Sequence, residues 1–447
     1  MRLIRVGICI LVTFAVMAHG AVEPWSATML EIGAASLFLL WGILAIRRRE
    51  VEIRWNWLYL PLLGLGGLAL IQRLAGLSVD PYATKIELLK AGAYLLLFFL
   101  TVESFQTMKG WRSFVWFLVS LSFVVSLVAI VQYFTFNGKL YWFRVLPQGV
   151  VPFGPFVNHN HFAGFVELIS PLGLAMLLSG AVRRDKLPLL ILLSVFPIGA
   201  LALSASRGGI ISFLFELVLL TLLIRKKGER RRQLLMAGGL VLAAGLLATW
   251  LGLGWTVERF EHFNPGDIAR DRRVSIFKDT WQIVRDHPWA GTGLGTLETV
   301  FPRYESYYDG RVVDHAHNDY LELLADTGWI GGMCMLGFVA LLAWRGVSGL
   351  RAANHPVCLS LYSGSLVACS GLLLHSVADF NMHIPSNALL FLLLAAMASC
   401  SIAGPRQSYS RGQSETEPFR LQSGQPVASS SDIEEDRCPV PCPEVGS

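Results

Sequence analysis

Four short clusters hold the groups in this chain that could bind an anion or move a proton. The first is Phe156-Val157-Asn158-His159-Asn160-His161-Phe162-Ala163-Gly164. Asn158, Asn160 and His161 can hydrogen-bond a polar head group. His159 and His161 also offer two metal ligands, without the third that a zinc site needs. The plainer alternative is a loop that caps the following helix. Glu167 follows inside an apolar stretch, where a carboxylate marks either function or a hydrogen bond between helices. The second cluster, Ser204-Ala205-Ser206-Arg207-Gly208-Gly209, sets Arg207 beside glycines that allow close backbone approach. Arg suits bidentate phosphate binding, and its alternative is snorkelling to lipid phosphates. The third, Arg270-Asp271-Arg272-Arg273, opens a helical pattern, and helix N-termini and Arg both favour anions; otherwise it is a solvated charged turn. The fourth is Asp314-His315-Ala316-His317-Asn318-Asp319-Tyr320-Leu321-Glu322. A histidine there can serve as a general base near neutral pH, and the spacing is not the His-Glu-x-x-His zinc pattern. A fifth run, Gly291-Thr292-Gly293-Leu294-Gly295, resembles a nucleotide loop but lacks the preceding strand and the full spacing. It reads as a turn.

The elements that must position these clusters are apolar helices. Of 447 residues, 53% are hydrophobic and 15% charged, with a mean hydropathy of +0.52. Soluble domains are about a quarter charged, and here the apolar residues gather in runs of bilayer-spanning length. That pattern excludes disorder, a collagen or disulfide scaffold and a soluble nucleotide-binding fold. Continuous rather than alternating runs exclude a β-barrel. The fold expected is all-α and polytopic, with about twelve spans at 4–20, 27–46, 56–72, 86–102, 113–134, 162–180, 187–204, 209–224, 234–253, 327–344, 357–377 and 385–403. The domains expected are a membrane domain over 1–403 and a disordered cytoplasmic tail over 404–447, rich in Ser, Gln, Glu, Gly and Pro.

Basic residues mark alternate loops: Arg2 and Arg5, Arg47 to Arg49, Lys109 and Arg112, Arg183 to Lys186, Arg225 to Arg232, and Arg345 with Arg351. The positive-inside rule puts these loops and both termini in the cytoplasm. The net charge of +5 therefore reflects loop clusters, not a nucleic-acid surface. The first span has an alternative as a signal peptide, with Ala18-His19-Gly20 as a small-residue cleavage site. Cys9, Cys334, Cys358, Cys369 and Cys400 read as small buried hydrophobes; Cys438 and Cys442 alone do not make a metal site.

All four chemical clusters then fall on the outward side. The longest outward loop, 254–326, is too aromatic for a disordered segment. Val274, Phe277, Trp281 and Val284 recur at helical spacing, so 271–286 is expected as an amphipathic helix with that face against the membrane or the bundle, ended by Pro288 and Gly291. Outward arginines suited to a diphosphate, beside a histidine suited to proton transfer, point to a reaction on a lipid-linked diphosphate. The diphosphate is both activated donor and leaving group, and no nucleotide is needed.

At these residues the chain resembles the O-antigen ligase/polymerase superfamily of bacterial membrane glycosyltransferases. The resemblance runs from about Asn158 to Ala403. It rests on the Asn158 cluster, Ser206-Arg207-Gly208-Gly209, the stretch from Arg273 through Asp286-His287-Pro288 to Gly295, Ala316-His317-Asn318-Asp319-Tyr320-Leu321, and Asp379-Phe380-Asn381-Met382-His383-Ile384-Pro385. The resemblance implies about twelve transmembrane helices with a large periplasmic loop in the bacterial inner membrane, and metal-independent, cofactor-free transfer of a glycan from undecaprenyl diphosphate. The acceptor it implies is a lipid A-core sugar, a second lipid-linked glycan or, in protein O-oligosaccharyltransferases, a hydroxyl side chain. It implies His317, Arg207 and Arg273 as catalytic residues. Asn158, Asn160, His161, Glu167, Arg270, Asn318 and Asp379 are expected to bind substrate. The competing class is a solute transporter, whose polar groups would lie near the bilayer centre; Glu31, Glu87, Lys90, Glu167 and Glu216 are its candidates. A scaffold for envelope assembly is suggested by the tail alone.

Overall fold

Apolar runs too long for strands form the helices of the computed structural model, which describes residues 1–48, 53–146, 152–224, 272–308 and 310–402, with isolated positions between 235 and 249. The helices are α1 (Arg2–Met17), α2 (Pro24–Arg48), α3 (Tyr59–Leu74), α4 (Pro81–Ser104), α5 (Met108–Phe134), α6 (His159–Leu178), α7 (Leu187–Leu203), α8 (Arg207–Leu223), α9 (Arg272–Asp286), α10 (Asp319–Ala352), α11 (Pro356–His375) and α12 (Pro385–Ser399). A short antiparallel pair, β1 (Lys139–Leu140) and β2 (Arg144–Val145), lies between α5 and α6. The chain is thus mostly helical. Among the described residues, six helices are long and apolar enough to cross a membrane: those beginning at Pro24, Met108, His159, Arg184, Asp319 and Pro356. Most of the segment expected as a span at 234–253, the loop from 254 to 271, and the tail from 404 lie outside the described residues.

α6 is the axis of the bundle. Nearly all its residues are buried, and it packs against α5, α7, α8, α11 and α12. By contrast α2 turns Met29, Ile32, Leu39, Ile43 and Ile46 outward. So large an exposed apolar face belongs against lipid. α1 packs into the same core through Ile4, Ile8, Val12 and Ala15.

A second, smaller core lies outside this bundle. Ile276, Ile283 and Val284 of α9 join Leu297, Val300, Phe301, Val313, Ala316 and Ala325. This corrects the expected face of α9. Of Val274, Phe277, Trp281 and Val284, only Val284 is buried, and the inward stripe is Ile276, Thr280, Ile283 and Val284. The small core is mostly aliphatic. Trp281 instead stays 44% exposed and meets Trp329 edge-on at 6.5 Å. Amphipathic indoles favour such boundary positions.

α10 begins earlier than the expected 327, because Asn318 caps it: its Oδ1 accepts the amides of Tyr320 at 3.1 Å and Leu321 at 3.0 Å. The helix breaks at Gly328 (φ 61°, ψ −166°). There the amides of Trp329 and Ile330 donate to the carbonyls of Pro288 and Trp289, at 2.7 and 3.2 Å. A Cβ on Gly328 would run into the Trp289–Ala290 backbone. The turn expected at Gly291–Gly295 completes the joint. The Thr292 and Gly293 amides donate to the Ala325 and Asp326 carbonyls. Buried Gln72 of α3 bolts it from below, donating to the carbonyls of Ala290 and Asp326 and accepting from the Leu294 amide.

Candidate functional site

Three backbone devices bring the chemical groups to one place. Asn158 caps α6 by accepting the Asn160 amide at 2.9 Å. Ser206 caps α8 by accepting the Gly209 amide at 3.2 Å. The Ser206 hydroxyl in turn donates to Asn160 Oδ1 at 2.8 Å. The helix starts carrying the first two clusters are therefore tied together, which fixes Arg207 beside the Asn158–His161 turn. The third device is the loop before α10, where His317 sits in the left-handed region (φ 53°). That conformation is uncommon for a residue with a Cβ, and strain of this kind tends to sit at functional positions.

Between the bundle and the small core lies a cavity of about 910 Å³. Asn158, Asn160, His161, Arg273 and His317 are all on its wall, with Glu322 and His383. Arg207, Glu167, Asn318 and Asp379 are not part of that wall, and Arg270 lies outside the described residues. Glu167 is fully buried and meets His375 of α11 at 3.1 Å. The Asn318 amide oxygen is taken up in capping α10. Glu87 and Lys90, also on the wall, form an ion pair one helical turn apart on α4.

Asp379 organises the site from behind. It is 1% exposed and lies in the loop joining α11 to α12. Its Oδ1 accepts the Phe380 amide at 2.9 Å. The same oxygen stands 3.8 Å from His317 Nδ1 and 4.0 Å from His161 Nε2. Burial alone would push this carboxyl up. The His317 imidazole, the charges of His161, His375 and Arg273 together outweigh burial and hold it well below the usual carboxylate range. Arg273 reaches the same loop, donating from Nη1 to the Ala378 carbonyl at 3.2 Å. Phe380 is the packing hub: its ring meets His161 at 4.7 Å, His315 at 4.3 Å and His317 at 5.0 Å.

A second group on the wall escaped the reading of the sequence. His315 Nδ1 lies 2.8 Å from Glu322 Oε1, and His383 Nε2 lies 3.1 Å from the same oxygen. The other His383 nitrogen donates to Asp319 Oδ1 at 2.8 Å. Burial disfavours an imidazolium at His383, but Glu322 and Asp319 more than offset it and push its pKa up to about 10. His315 stands in the loop before α10 and Glu322 in the first turn of that helix. His383 comes from 64 residues beyond Asp319, so no local spacing reveals the group.

The arrangement can bind an anion through Arg273, accept a proton at His317 and stabilise the resulting imidazolium with Asp379. No curated protein matches the chain. Residues 192–336 match the family model described as O-antigen ligase, a stretch that holds Arg207, Arg273 and His317. The match covers about a third of the chain and agrees with the resemblance to the O-antigen ligase/polymerase superfamily that its motifs carry.

Proposed function

We propose that the protein transfers a glycan from undecaprenyl diphosphate to an acceptor hydroxyl, at the periplasmic face of a bacterial inner membrane. The observation that carries this reading is one cavity walled by Arg273, His317, Asn160 and His161, with a buried carboxylate behind His317. In the proposed reaction the acceptor oxygen attacks the anomeric carbon and its proton passes to His317. The bond from the anomeric carbon to the diphosphate oxygen breaks, and the diphosphate leaves toward Arg273 and Arg207. Preorganised charge of this kind commonly supplies the largest share of catalysis. Direct displacement inverts the anomeric configuration. Asp379 takes the part of a positioning residue, holding His317 in one tautomer and stabilising its charged form, as carboxylates behind catalytic imidazoles do. Asn158, Asn160 and His161 contact the donor or acceptor from the α6 side, and Arg270 adds positive charge from the third cluster. Asn318 caps the start of α10, and Glu167 ties α6 to the end of α11 through His375.

The topology that fits this reading has about twelve spans, both termini in the cytoplasm and the 254–326 segment in the periplasm as one large loop. The membrane domain covers 1–403, and the tail 404–447 is a separate cytoplasmic piece. The acceptor is a lipid A-core sugar in a ligase or a second lipid-linked glycan in a polymerase. The test is the lipopolysaccharide banding pattern of a deletion strain, complemented with the wild-type chain or with His317→Ala. Restoration of the long ladder by the wild type alone supports transfer through His317. Bare core in the deletion strain marks a ligase; core with a single repeat marks a polymerase. Equal restoration by His317→Ala refutes the role given to His317.

A further inference from the structure

From the geometry of His315, Glu322 and His383 we infer a binding site for a divalent transition-metal ion, of the zinc class, on the cavity wall beside His317. Each side chain offers one ligand atom, and the three atoms lie within 4.8 Å of one another. Two of the separations are 2.8 and 3.1 Å, both measured to Glu322 Oε1. Tetrahedral zinc with bonds of about 2.0–2.2 Å sets its ligands about 3.3 Å apart, so the widest gap needs to close by no more than about 1.5 Å. Two imidazoles and one carboxylate form a donor set that zinc commonly takes, with the fourth position left open. Here all three residues face the cavity, so the open position faces it too.

The surroundings fit this assignment independently of the three ligands. His383 presents Nε2 to the site while its Nδ1 donates to Asp319 Oδ1 at 2.8 Å. A carboxylate behind a ligating histidine fixes the ring and raises its basicity. Asp319 is itself held, its Oδ2 accepting the Met382 amide at 3.0 Å. Glu322 Oε2 accepts the Ala316 amide at 2.8 Å, which aims Oε1 at the two imidazoles. Two buried carboxylates face His383, one at each ring nitrogen; a metal ion takes the place of the proton on Nε2, while the proton on Nδ1 stays with Asp319.

The ion would join directly two segments that Glu322 already bridges: the His315–His317 loop and the turn Asn381–His383 that precedes α12. His317 lies two positions from the proposed ligand His315 and has a left-handed backbone. The assignment is therefore to a positioning site, which pins the strained histidine. Phosphate neutralisation stays with the arginines.

The test uses the full chain, purified in detergent, incubated with zinc chloride and dialysed, with bound zinc measured by mass spectrometry. The expected result is about one zinc per chain in the wild type and in His317→Ala, and at least a tenfold loss in Glu322→Gln and His315→Ala. Glu322→Gln keeps the side-chain volume and an oxygen for the Ala316 amide, and a size-exclusion profile matching the wild type shows that it folds. Asp319→Asn should weaken zinc affinity by about 10- to 100-fold, the usual effect of losing the carboxylate behind a ligating histidine. Cobalt chloride replaces zinc in a second measurement, where the visible bands of tetrahedral cobalt should appear in the wild type and be absent in His383→Asn. A folded wild type that takes up no more zinc than Glu322→Gln overturns the proposal. So does zinc that survives Glu322→Gln and is lost in His161→Ala. Neither readout involves glycan transfer, so the site stands or falls apart from the proposed reaction.

Discussion

Asp379→Asn isolates the electrostatic share of the proposed catalysis, because the amide matches the carboxylate in shape and keeps an oxygen for the Phe380 amide. Asp379 Oδ1 is 3.8 Å from His317 Nδ1. A unit charge at that distance is worth about 4 kcal/mol to an imidazolium at an effective dielectric of about 20. The His317 side chain is 27% exposed, and Asp379 is shared with His161 at 4.0 Å. Both facts reduce the effect, and we take about 2–3 kcal/mol. At about 1.4 kcal/mol per tenfold, kcat should fall roughly 30- to 150-fold. KM for the lipid-linked donor should stay within about twofold, because Asn160 and Arg273 on the cavity wall are unaltered. The assay is transfer of a radiolabelled glycan from undecaprenyl diphosphate by the purified chain, with thermal unfolding measured alongside. A folded Asp379→Asn enzyme with kcat within threefold of wild type refutes the account, as does an effect confined to KM.

Lysine keeps the charge of arginine without its planar fork, so Arg273→Lys and Arg207→Lys should each lower kcat/KM about tenfold or more in the same assay. A silent Arg207→Lys removes bidentate binding at that position. Gly328→Ala places a methyl group against the Trp289–Ala290 backbone at a positive φ; it should destabilise the protein by about 1–3 kcal/mol, visible as a lower unfolding temperature. An unchanged melting curve would show that the α10 break is not required. Asn158→Ala removes the α6 cap and should cost about 1 kcal/mol by the same measurement.

How much of this was legible in the sequence depends on the range of the interaction concerned. The helices follow from apolar runs, whose burial and length need no knowledge of neighbours. The α10 start was missed because Asn318 and Gly328 act through capping and backbone contacts rather than through hydropathy. The buried face of α9 was misjudged because aromatic and aliphatic residues count alike in a periodicity, whereas the small core took Ile276 and Ile283 and left Trp281 at the boundary. Arg273 and His317 were visible as candidates through their types and their shared loop. That Asp379 stands behind His317, and that His383 joins His315 and Glu322, depends on how the α11–α12 loop folds back over the start of α10. Neither motif contains that information.

Phe380 gives the site a property that no single distance describes. One ring supports three imidazoles, from α6 and from two positions of the loop before α10. Substitutions at His161, His315 and His317 should therefore not add: each changes the seat on which the other two rest. A smaller side chain at Phe380 would loosen all three together. The ring thus works as a common bearing, and changes in this pocket are tolerated in matched sets more readily than one at a time.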